Sequence, residues 1–170
     1  MKVHIHVSRA KTSLLGTIQV AGINKHVVRV RLDGDHEALR AELLKEHPNG
    51  VLMRGSPTTM EAVREIRKYL DGGRDPDFDV NLPEYGFATR VWKYLRRIPR
   101  GRVRTYGGGA KALRKPGAAR AVGQACGRNP LPLIVPCHRV VSADLALGGF
   151  TGGVEMKRRL LELEGARVKA

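Results

Sequence analysis

Cysteine and long apolar runs are scarce in this sequence of 170 residues. Only two cysteines occur, Cys126 and Cys137, so a disulfide framework is excluded and a reducing, intracellular compartment is expected. The first residues, MKVHIHV, are too polar and too short a stretch for a secretory signal. No apolar run approaches the length needed to cross a bilayer. We therefore expect a soluble, cytoplasmic protein with no membrane partner.

Acidic residues are also missing, but only from one part of the chain. Residues 1–84 hold 13 Lys and Arg against 12 Asp and Glu, whereas residues 85–170 hold 18 against 4. No acid lies between Tyr85 and Ala143, and the formal net charge of the chain is +15. A half-chain this basic predicts a polyanionic partner, with nucleic acid the first candidate and an acidic membrane surface the second. A merely solubilising surface would not explain why the other half is neutral.

Residues 1–80 have the pattern of a small sheet domain. Three segments alternate apolar and polar residues with the period of a half-buried strand: 2–8, 14–20 and 26–32. Asp33-Gly-Asp35 is predicted to cap a helix, and Thr58 with Glu61 has the spacing of a capping box for a second helix. The turn-rich segment 71–83 is typical of a linker. We predict an α+β fold with a small antiparallel sheet in a domain of residues 1–80.

Residues 81–170 are predicted to form a second, mostly helical domain. Apolar spacing indicates an amphipathic helix over 86–98, and two short helices, over 106–113 and 118–127, flank a turn at Lys115-Pro-Gly117. In a basic context this pair resembles a helix-turn-helix, and we predict a winged-helix-like arrangement.

The second helix of this pair has few side chains that can read base edges. Apart from Arg120 and Gln124 it carries Ala, Gly, Val and Cys. Small side chains let a helix approach DNA closely, including in a narrow minor groove, without reading its sequence. Tight packing inside the protein is the alternative, but it leaves Arg120 unexplained.

A last helix is predicted over 154–164, with leucines inward and Lys157, Arg158 and Arg159 outward. Glu164 lies at its end, and in a buried position it could orient a histidine. Spacing alone favours a solvated carboxylate there.

The stretch around Cys137 is the strongest candidate for chemistry. Residues 129–141 have the sequence NPLPLIVPCHRVV, in which three prolines fix the backbone of an otherwise apolar run. We predict a rigid, buried, extended segment that presents Cys137, followed by a short strand at Val140-Val141. An imidazole at His138 and a guanidinium at Arg139 create an electropositive setting that favours a thiolate nucleophile. A buried structural cysteine is the alternative.

Several motifs of the basic half occur together. They are ARAVG at 119–123, Asn129-Pro130, PCHRV at 136–140, GFTGG at 149–153 and Glu164-Gly165. In this combination they resemble the O6-alkylguanine-DNA alkyltransferases, the methylated-DNA–protein-cysteine methyltransferases. The resemblance extends over residues 85–165, while residues 1–80 share only the layout of a small sheet domain.

The resemblance implies a set of catalytic residues. Cys137 would accept the alkyl group, and His138 would act through a water molecule as the base that forms the thiolate. Glu164 would orient His138, and Asn129 would hold the turn around this network. Tyr106 would donate its hydroxyl to the guanine ring as the alkyl group leaves.

The resemblance also implies contacts to the base and the DNA. The residues concerned are Arg120, Val140, Phe150, Thr151, Ala119 and Gly123. Arg120 would fill the gap left by an extruded nucleotide. The carbonyls of Cys137 and Val140 would accept from the exocyclic amine, and the backbone N–H of Thr151 would face O6. Phe150 stands where several relatives have tyrosine, and Thr151 where serine is common; ring packing and a backbone contact tolerate these changes.

The implied function is DNA repair by irreversible transfer of the alkyl group from O6-alkylguanine in double-stranded DNA to Cys137. A thioether has no good leaving group, so each molecule would react once, and O4-alkylthymine is open as a second substrate. No cofactor is implied, and a monomer is expected. Some relatives bind zinc through cysteines of the first domain; this first domain has none, so no metal site is predicted.

Three other functions are open on the residues alone. A non-repairing alkyltransferase-like protein that binds lesions would lack the acceptor cysteine, whereas Cys137 is present. A winged-helix transcription regulator would need base-reading side chains on the second helix. A thiol hydrolase built on the Cys–His pair would leave the basic charge unexplained.

Overall fold

A computed structural model describes residues 1–169 of the chain, which divide into two compact units, Met1–Asn81 and a unit that begins at Leu82. Strands and helices occur in both units, so the predicted α+β class is confirmed. Within residues 1–169, no helix combines the length and the apolar character that a membrane span requires.

The first unit is a four-stranded sheet with two helices. In chain order its elements are β1 (Val3–Thr12), β2 (Gly16–Ile23), β3 (His26–Arg31), α1 (His36–Glu46), β4 (Gly50–Arg54) and α2 (Pro57–Leu70). The strand order across the sheet is β3-β2-β1-β4. The three predicted strands are present, and β4 is a strand that the alternation pattern did not predict.

The sheet is mixed, whereas the sequence predicted a purely antiparallel one. β1 pairs antiparallel with β2, with Ile5 opposite Ile23, and parallel with β4, with Ile5 opposite Leu52. The parallel pairing arises because α1 carries the chain from the β3 edge back across to β1, and a crossover of this kind delivers the next strand in the parallel direction.

Caps at both helix starts explain where the helices of the first unit begin. The carboxylate of Asp35 accepts the backbone N–H of Ala38, which confirms the predicted start of α1. The capping box of α2 is formed by Ser56 and Thr59, not by the predicted pair two residues further on. Pro57 fixes the first helical residue, so the helix starts before the predicted pair can cap it.

The core of the first unit lies between the sheet and its helices. Its fully buried members include Ile5, Ala21, Leu39 and Leu43. α2 comes close to the sheet at Gly22, where an added Cβ would lie only 2.8 Å from Cγ2 of Thr59. A side chain at this position would therefore push the helix away from the strands.

The second unit is mostly helical. Its elements are α3 (Phe87–Leu95), β5 (Arg104–Thr105), α4 (Tyr106–Ala112), α5 (Ala119–Gly127), a 3₁₀ turn (Cys137–Arg139), β6 (Val140–Val141) and α6 (Val154–Leu163). β5 and β6 pair in parallel, with Arg104 opposite Val140. The short strand predicted at residues 140–141 is thus present.

In this unit α5 packs against both α3 and α4. The indole N–H of the buried Trp92 donates to the carbonyl of Ala125 at 2.8 Å, which ties α3 to α5. Thr105 caps α4 by accepting the N–H of Gly108 at 3.0 Å, so the helix begins at the predicted residue 106. The two short helices of the predicted helix-turn-helix are therefore present, while the winged-helix detail stays a prediction.

The segment before Cys137 is buried as predicted, but it is not extended throughout. Leu133 has a positive φ of 77°, and Val135 N–H donates to the carbonyl of Leu131 at 2.8 Å to close a turn. Cys137 itself begins the 3₁₀ turn. Proline fixes only its own φ and restricts the residue before it, so a residue between two prolines can still reverse the chain direction.

Candidate active site

A cavity of about 330 Å³ in the second unit brings the two cysteines together with the glycine-rich loop. It is lined by Tyr106, Gly123, Cys126, Gly127, Cys137, Gly149, Phe150 and Thr151. These residues come from α4, α5, the 3₁₀ turn and the loop after β6. Five of them were predicted to act on the substrate or to bind the base or the DNA: Tyr106, Gly123, Cys137, Phe150 and Thr151.

Cys137 is the most buried nucleophile of this cavity, with 6% of its surface exposed. Its sulfur accepts a hydrogen bond from the amide nitrogen Nδ2 of Asn129 at 3.1 Å. Burial raises the pKa of the Cys137 thiol, while the Asn129 amide and the positive charge of Lys157 act to lower that pKa. Burial and these two neighbours thus act on the acidity of the sulfur in opposite directions.

Asn129 holds the turn that carries Cys137. Its Nδ2 also donates to the carbonyl of Val135 at 2.7 Å, and its Oδ1 accepts the backbone N–H of Leu131 at 2.9 Å. One side chain thus satisfies the backbone groups that the prolines leave without helical or sheet partners.

His138 and Glu164 form a buried pair directly beside Cys137. Nε2 of His138 lies 2.8 Å from Oε1 of Glu164, and both side chains have no exposed surface. A carboxylate at Nε2 favours the tautomer that carries its proton there, so that Nδ1 is the basic nitrogen. The carboxylate is thus not the solvated one that spacing favoured but the buried one that the resemblance implied.

Arg139 completes this network from the other side of the carboxylate. Its Nε donates to Oε2 of Glu164 at 3.0 Å, and one guanidinium nitrogen donates to Oε1 at 2.8 Å. Another guanidinium nitrogen donates to the carbonyl of Ile98 at 2.7 Å. Arg139 was predicted to supply positive charge to the thiol. Its guanidinium instead forms an ion pair with Glu164 and fixes the carboxylate in place.

Tyr106 stands on the opposite wall as the first residue of α4. Burial, followed by the nearby thiols of Cys126 and Cys137, raises the pKa of Tyr106 to about 12. The phenol is therefore protonated at neutral pH and can donate a hydrogen bond. An added Cβ at Gly148 would lie 3.3 Å from its hydroxyl oxygen, so glycine gives the hydroxyl room.

Lys157 was predicted to point outward from α6, and this is wrong. The side chain is fully buried, and its Nζ donates to the carbonyls of Val140 at 2.5 Å and Gly149 at 3.2 Å. Positions 157, 160, 161 and 164 follow helical spacing, so Lys157 shares the buried face of Leu160, Leu161 and Glu164. The prediction was wrong because it followed the usual exposure of lysine and not the helical spacing of this position.

Arg120 is exposed at the second position of α5. Among residues 1–169 its side chain has no hydrogen-bond or ion-pair partner. The neighbouring Ala119 and Gly123 are partly buried, and Gly123 lines the cavity. The guanidinium is therefore held on the solvent side of the same helix that forms one wall of the cavity.

Phe150 and Thr151 belong to the loop between β6 and α6. Phe150 is half-buried, whereas Thr151 is exposed and its hydroxyl donates to the carbonyl of Gly127 at 3.4 Å. Val140 is buried, and its carbonyl already accepts from Lys157, which leaves one lone pair for a further donor. Among residues 1–169 no group of three or more His, Cys, Asp or Glu side chains is placed to hold a metal ion.

Comparison with known proteins gives the family. Residues 86–166 match the family described as "6-O-methylguanine DNA methyltransferase, DNA binding domain". A methylated-DNA–protein-cysteine methyltransferase from Mycobacterium leprae is 39% identical over 163 residues, which cover 94% of this chain and 93% of that protein. The chain belongs to the methylated-DNA–protein-cysteine methyltransferase family.

Solved structures of this family have the same fold. The crystal structure of Mycobacterium tuberculosis O6-methylguanine methyltransferase is 35% identical, with a TM-score of 0.81 over 98% of this chain and 96% of that chain. The crystal structure of M. tuberculosis OGT in complex with DNA is 34% identical, with a TM-score of 0.77 over 94% of this chain and 92% of that chain. Since coverage exceeds nine-tenths in both, the likeness includes the first unit, which the sequence motifs did not reach.

Two side chains of this methyltransferase site were not predicted to serve it. Cys126 lines the cavity, and Lys157 donates to the carbonyl of Gly149, which also lines it; burial is the main cause of the shifted pKa of each side chain. It lowers the pKa of Lys157 and raises the pKa of Cys126 to about 12. The helical spacing of Lys157 could have revealed its position; nothing in the sequence distinguishes Cys126 from a packing residue of α5.

Proposed function

We propose that the protein repairs DNA by transferring the alkyl group of O6-alkylguanine to the sulfur of Cys137, once per molecule. The observation that carries this proposal is the placement of Cys137. Its sulfur lines a cavity large enough for one nucleobase, and it lies beside the buried His138–Glu164 pair in the basic unit of the chain. The domain of residues 81–170 would bind the double-stranded DNA, and a monomer in the cytoplasm is expected to act alone.

The damaged base must leave the duplex before the sulfur can reach it. Extruding a nucleotide costs roughly a few kcal/mol of lost stacking and pairing. Arg120 is exposed on a helix of small residues, so it can enter the duplex and occupy the vacated position. Phosphate contacts from the basic surface would supply affinity without sequence preference.

Proton removal from Cys137 would run through a water molecule to Nδ1 of His138. Because Nε2–H of His138 donates a hydrogen bond to Glu164, the imidazolium that forms is stabilised by a buried carboxylate. Arg139 holds that carboxylate in position through two of its nitrogens. His138 is thus the base, and Glu164 and Asn129 are the residues that position it and the sulfur.

The thiolate would then attack the alkyl carbon in line with the bond to O6. The carbon–sulfur bond forms, the carbon–oxygen bond breaks, and its electron pair stays on guanine. Tyr106 is protonated at neutral pH and would donate a hydrogen bond that stabilises the guanine anion, which then takes up a proton from solvent. The thioether has no good leaving group, so the reaction stops after one transfer.

Recognition of the base would use the loop and the 3₁₀ turn. The carbonyls of Cys137 and Val140 would accept from the exocyclic amine, the Thr151 N–H would face O6 and Phe150 would pack on the ring. O4-alkylthymine carries the same alkyl–oxygen bond in a smaller base, and we expect weaker reaction with it because fewer of these contacts form.

Peptide mass mapping tests which atom accepts the group. Wild type, Cys137→Ala and Cys126→Ala are incubated with a duplex that contains one O6-methylguanine. We expect one methyl group on the peptide of Cys137 in wild type and in Cys126→Ala, and none in Cys137→Ala. Methylation of Cys126, or none in any protein, would overturn the proposal; lesion-selective binding without transfer would instead identify a non-repairing lesion-binding protein.

A further inference from the structure

The ammonium group of Lys157 is buried, and neither side-chain packing nor the transfer reaction described above explains why. Its neighbours on α6, Arg158 and Arg159, keep 35% and 51% of their side chains exposed and pair with Glu155. Lys157 has no exposed surface at all. Burying an ammonium group is unfavourable unless hydrogen bonds or charges compensate it, so a specific set of partners must hold it there.

Two of the residues that Lys157 contacts, Gly149 and Tyr106, line the cavity. Its Nζ bridges two carbonyls, of Val140 in β6 and of Gly149 in the glycine-rich loop, and it lies 5.8 Å from the centre of the Tyr106 ring. The lysine thereby joins the strand that follows Cys137 to the loop that carries Phe150. Movement of either segment would change the shape of the cavity.

No acidic side chain neutralises this ammonium group. In the chain from residue 1 to 169, no carboxylate forms an ion pair with Lys157, and Glu164 on the same helix face is engaged by His138 and Arg139. The ionisable groups that face Lys157 are the thiols of Cys126 on α5 and Cys137 on the 3₁₀ turn, and the phenol of Tyr106 on α4. The uncompensated charge therefore acts on groups that become anions when they lose a proton.

We propose that Lys157 is a positioning residue of the transfer reaction, whose charge favours the thiolate of Cys137 while its hydrogen bonds hold β6 and the glycine-rich loop together. This inference rests on the proposed function for its role in repair, but the effect on the sulfur is independent of any DNA substrate. A positive charge next to a thiol lowers the pKa of that thiol, and while the thiol is mostly protonated a pKa lower by one unit means about ten-fold more thiolate.

The test measures the reactivity of Cys137 toward iodoacetamide as a function of pH, by intact mass. All proteins carry Cys126→Ala, so that only one thiol reacts. We expect Lys157→Met to react about ten-fold more slowly at pH 7, with its rate profile moved to higher pH. Lys157→Arg should recover part of the rate because it restores the charge. Arg158→Met, on the same helix but partly exposed, should leave the profile unchanged.

A rate profile of Lys157→Met that matches the parent protein would overturn the proposal, and so would a shift of equal size in Arg158→Met. If Lys157→Met does not fold, the NMR titration of the Lys157 side chain in the parent protein and in Cys137→Ala replaces it. Because coupling between two charges is reciprocal, removal of the thiol should move the lysine titration to lower pH, and an unchanged titration would contradict the coupling.

The iodoacetamide measurement separates the effect of Lys157 on the sulfur from the repair of DNA. Iodoacetamide needs no flipped base, so Lys157 can be shown to tune the sulfur even if no methyl group is transferred from DNA. Conversely, methyl transfer to Cys137 could be found while Lys157→Met leaves the pH profile unchanged. That result would support the proposed repair function and contradict only the role of Lys157.

Discussion

The two units of the molecule use charge in different ways. In the first unit, Arg29 and Arg31 pair with carboxylates at the rim of the sheet, and Glu42 keeps 42% of its side chain exposed. In the second unit, Glu164 is fully enclosed with His138 and Arg139. Exposed ion pairs contribute little to stability, and buried ones often contribute no more than apolar residues of the same size. Stability alone therefore does not explain why the second unit buries these charges.

The acid-free stretch sharpens this contrast. The unit that begins at Leu82 has few acids, and one of the few, Glu164, lies inside the site instead of balancing the basic surface. Arg120, whose side chain has no partner among residues 1–169, thus remains available to phosphates, while the interior carboxylate is engaged by His138 and Arg139.

The largest expected difference between the units comes from removing one carboxylate charge in each. Glu164→Gln leaves the buried guanidinium of Arg139 without its counter-charge, so we expect a loss of about 3–5 kcal/mol in the free energy of unfolding. Glu42→Gln in the first unit should lose under about 1 kcal/mol. Urea unfolding of both variants measures this difference, and equal losses would contradict the distinction between rim and interior pairs.

Alkylation of Cys137 should perturb the second unit alone. A methyl group on the sulfur crowds the Asn129 amide, which lies 3.1 Å away, and overfilling a packed site lowers stability by about 1–3 kcal/mol. The methylated protein should melt at a lower temperature and exchange amide hydrogens faster in residues 129–139. An unchanged or higher melting temperature, or faster exchange centred on the first unit, would refute this.

Two exposed arginines provide a matched pair for DNA repair. Arg120→Ala should slow transfer from duplex by about ten-fold, which corresponds to about 1.4 kcal/mol of lost stabilisation of the flipped state. In a single strand no stack has to be opened, so the same change should have a much smaller effect. Arg40→Ala, on α1 of the first unit, serves as the control. Equal slowing by Arg120→Ala on both substrates would remove the stacking role.

The effect that is smallest near neutral pH, and that grows only in alkaline solution, is a pH dependence of stability that originates in the second unit. Burial raises the pKa of Cys126 to about 12, from an ordinary value of 9.0. Since the native state holds this proton more tightly than the unfolded chain, the stabilisation is complete below about pH 9 and is lost as pH rises toward 12. The melting temperature should fall less steeply over this range in Cys126→Ala than in wild type. Parallel slopes would show that Cys126 contributes nothing.

Sequence patterns predicted the first unit better than the site. Alternation gave three strands, and Asp35 gave the start of α1, because both signals are local. β4 has only five residues and lies at the sheet edge, where Met53 is 42% exposed, so it lacks a clear alternation. Its parallel pairing depends on the path of α1, which no local pattern encodes.

Motifs predicted which residues form the site, but they did not predict the burial and the contacts of those residues. Spacing could not show that Glu164 is buried, because that depends on how α6 packs on the 3₁₀ turn. Leu133 takes a left-handed conformation that its sequence does not favour, and the Asn129 side chain compensates for it. Lys157 was misplaced because an average preference for exposure was given more weight than its position on the apolar face.

The number of guanines that each protein molecule restores tests whether Cys137 is alkylated once and irreversibly. Wild-type protein is mixed with an excess of duplex carrying O6-methylguanine, and the restored guanine is counted against the protein over time. Repair should rise to one guanine per protein molecule and then stop, because the thioether does not release its alkyl group. Continued repair beyond one equivalent would contradict a thioether end product, and no repair at all would contradict Cys137 as the acceptor.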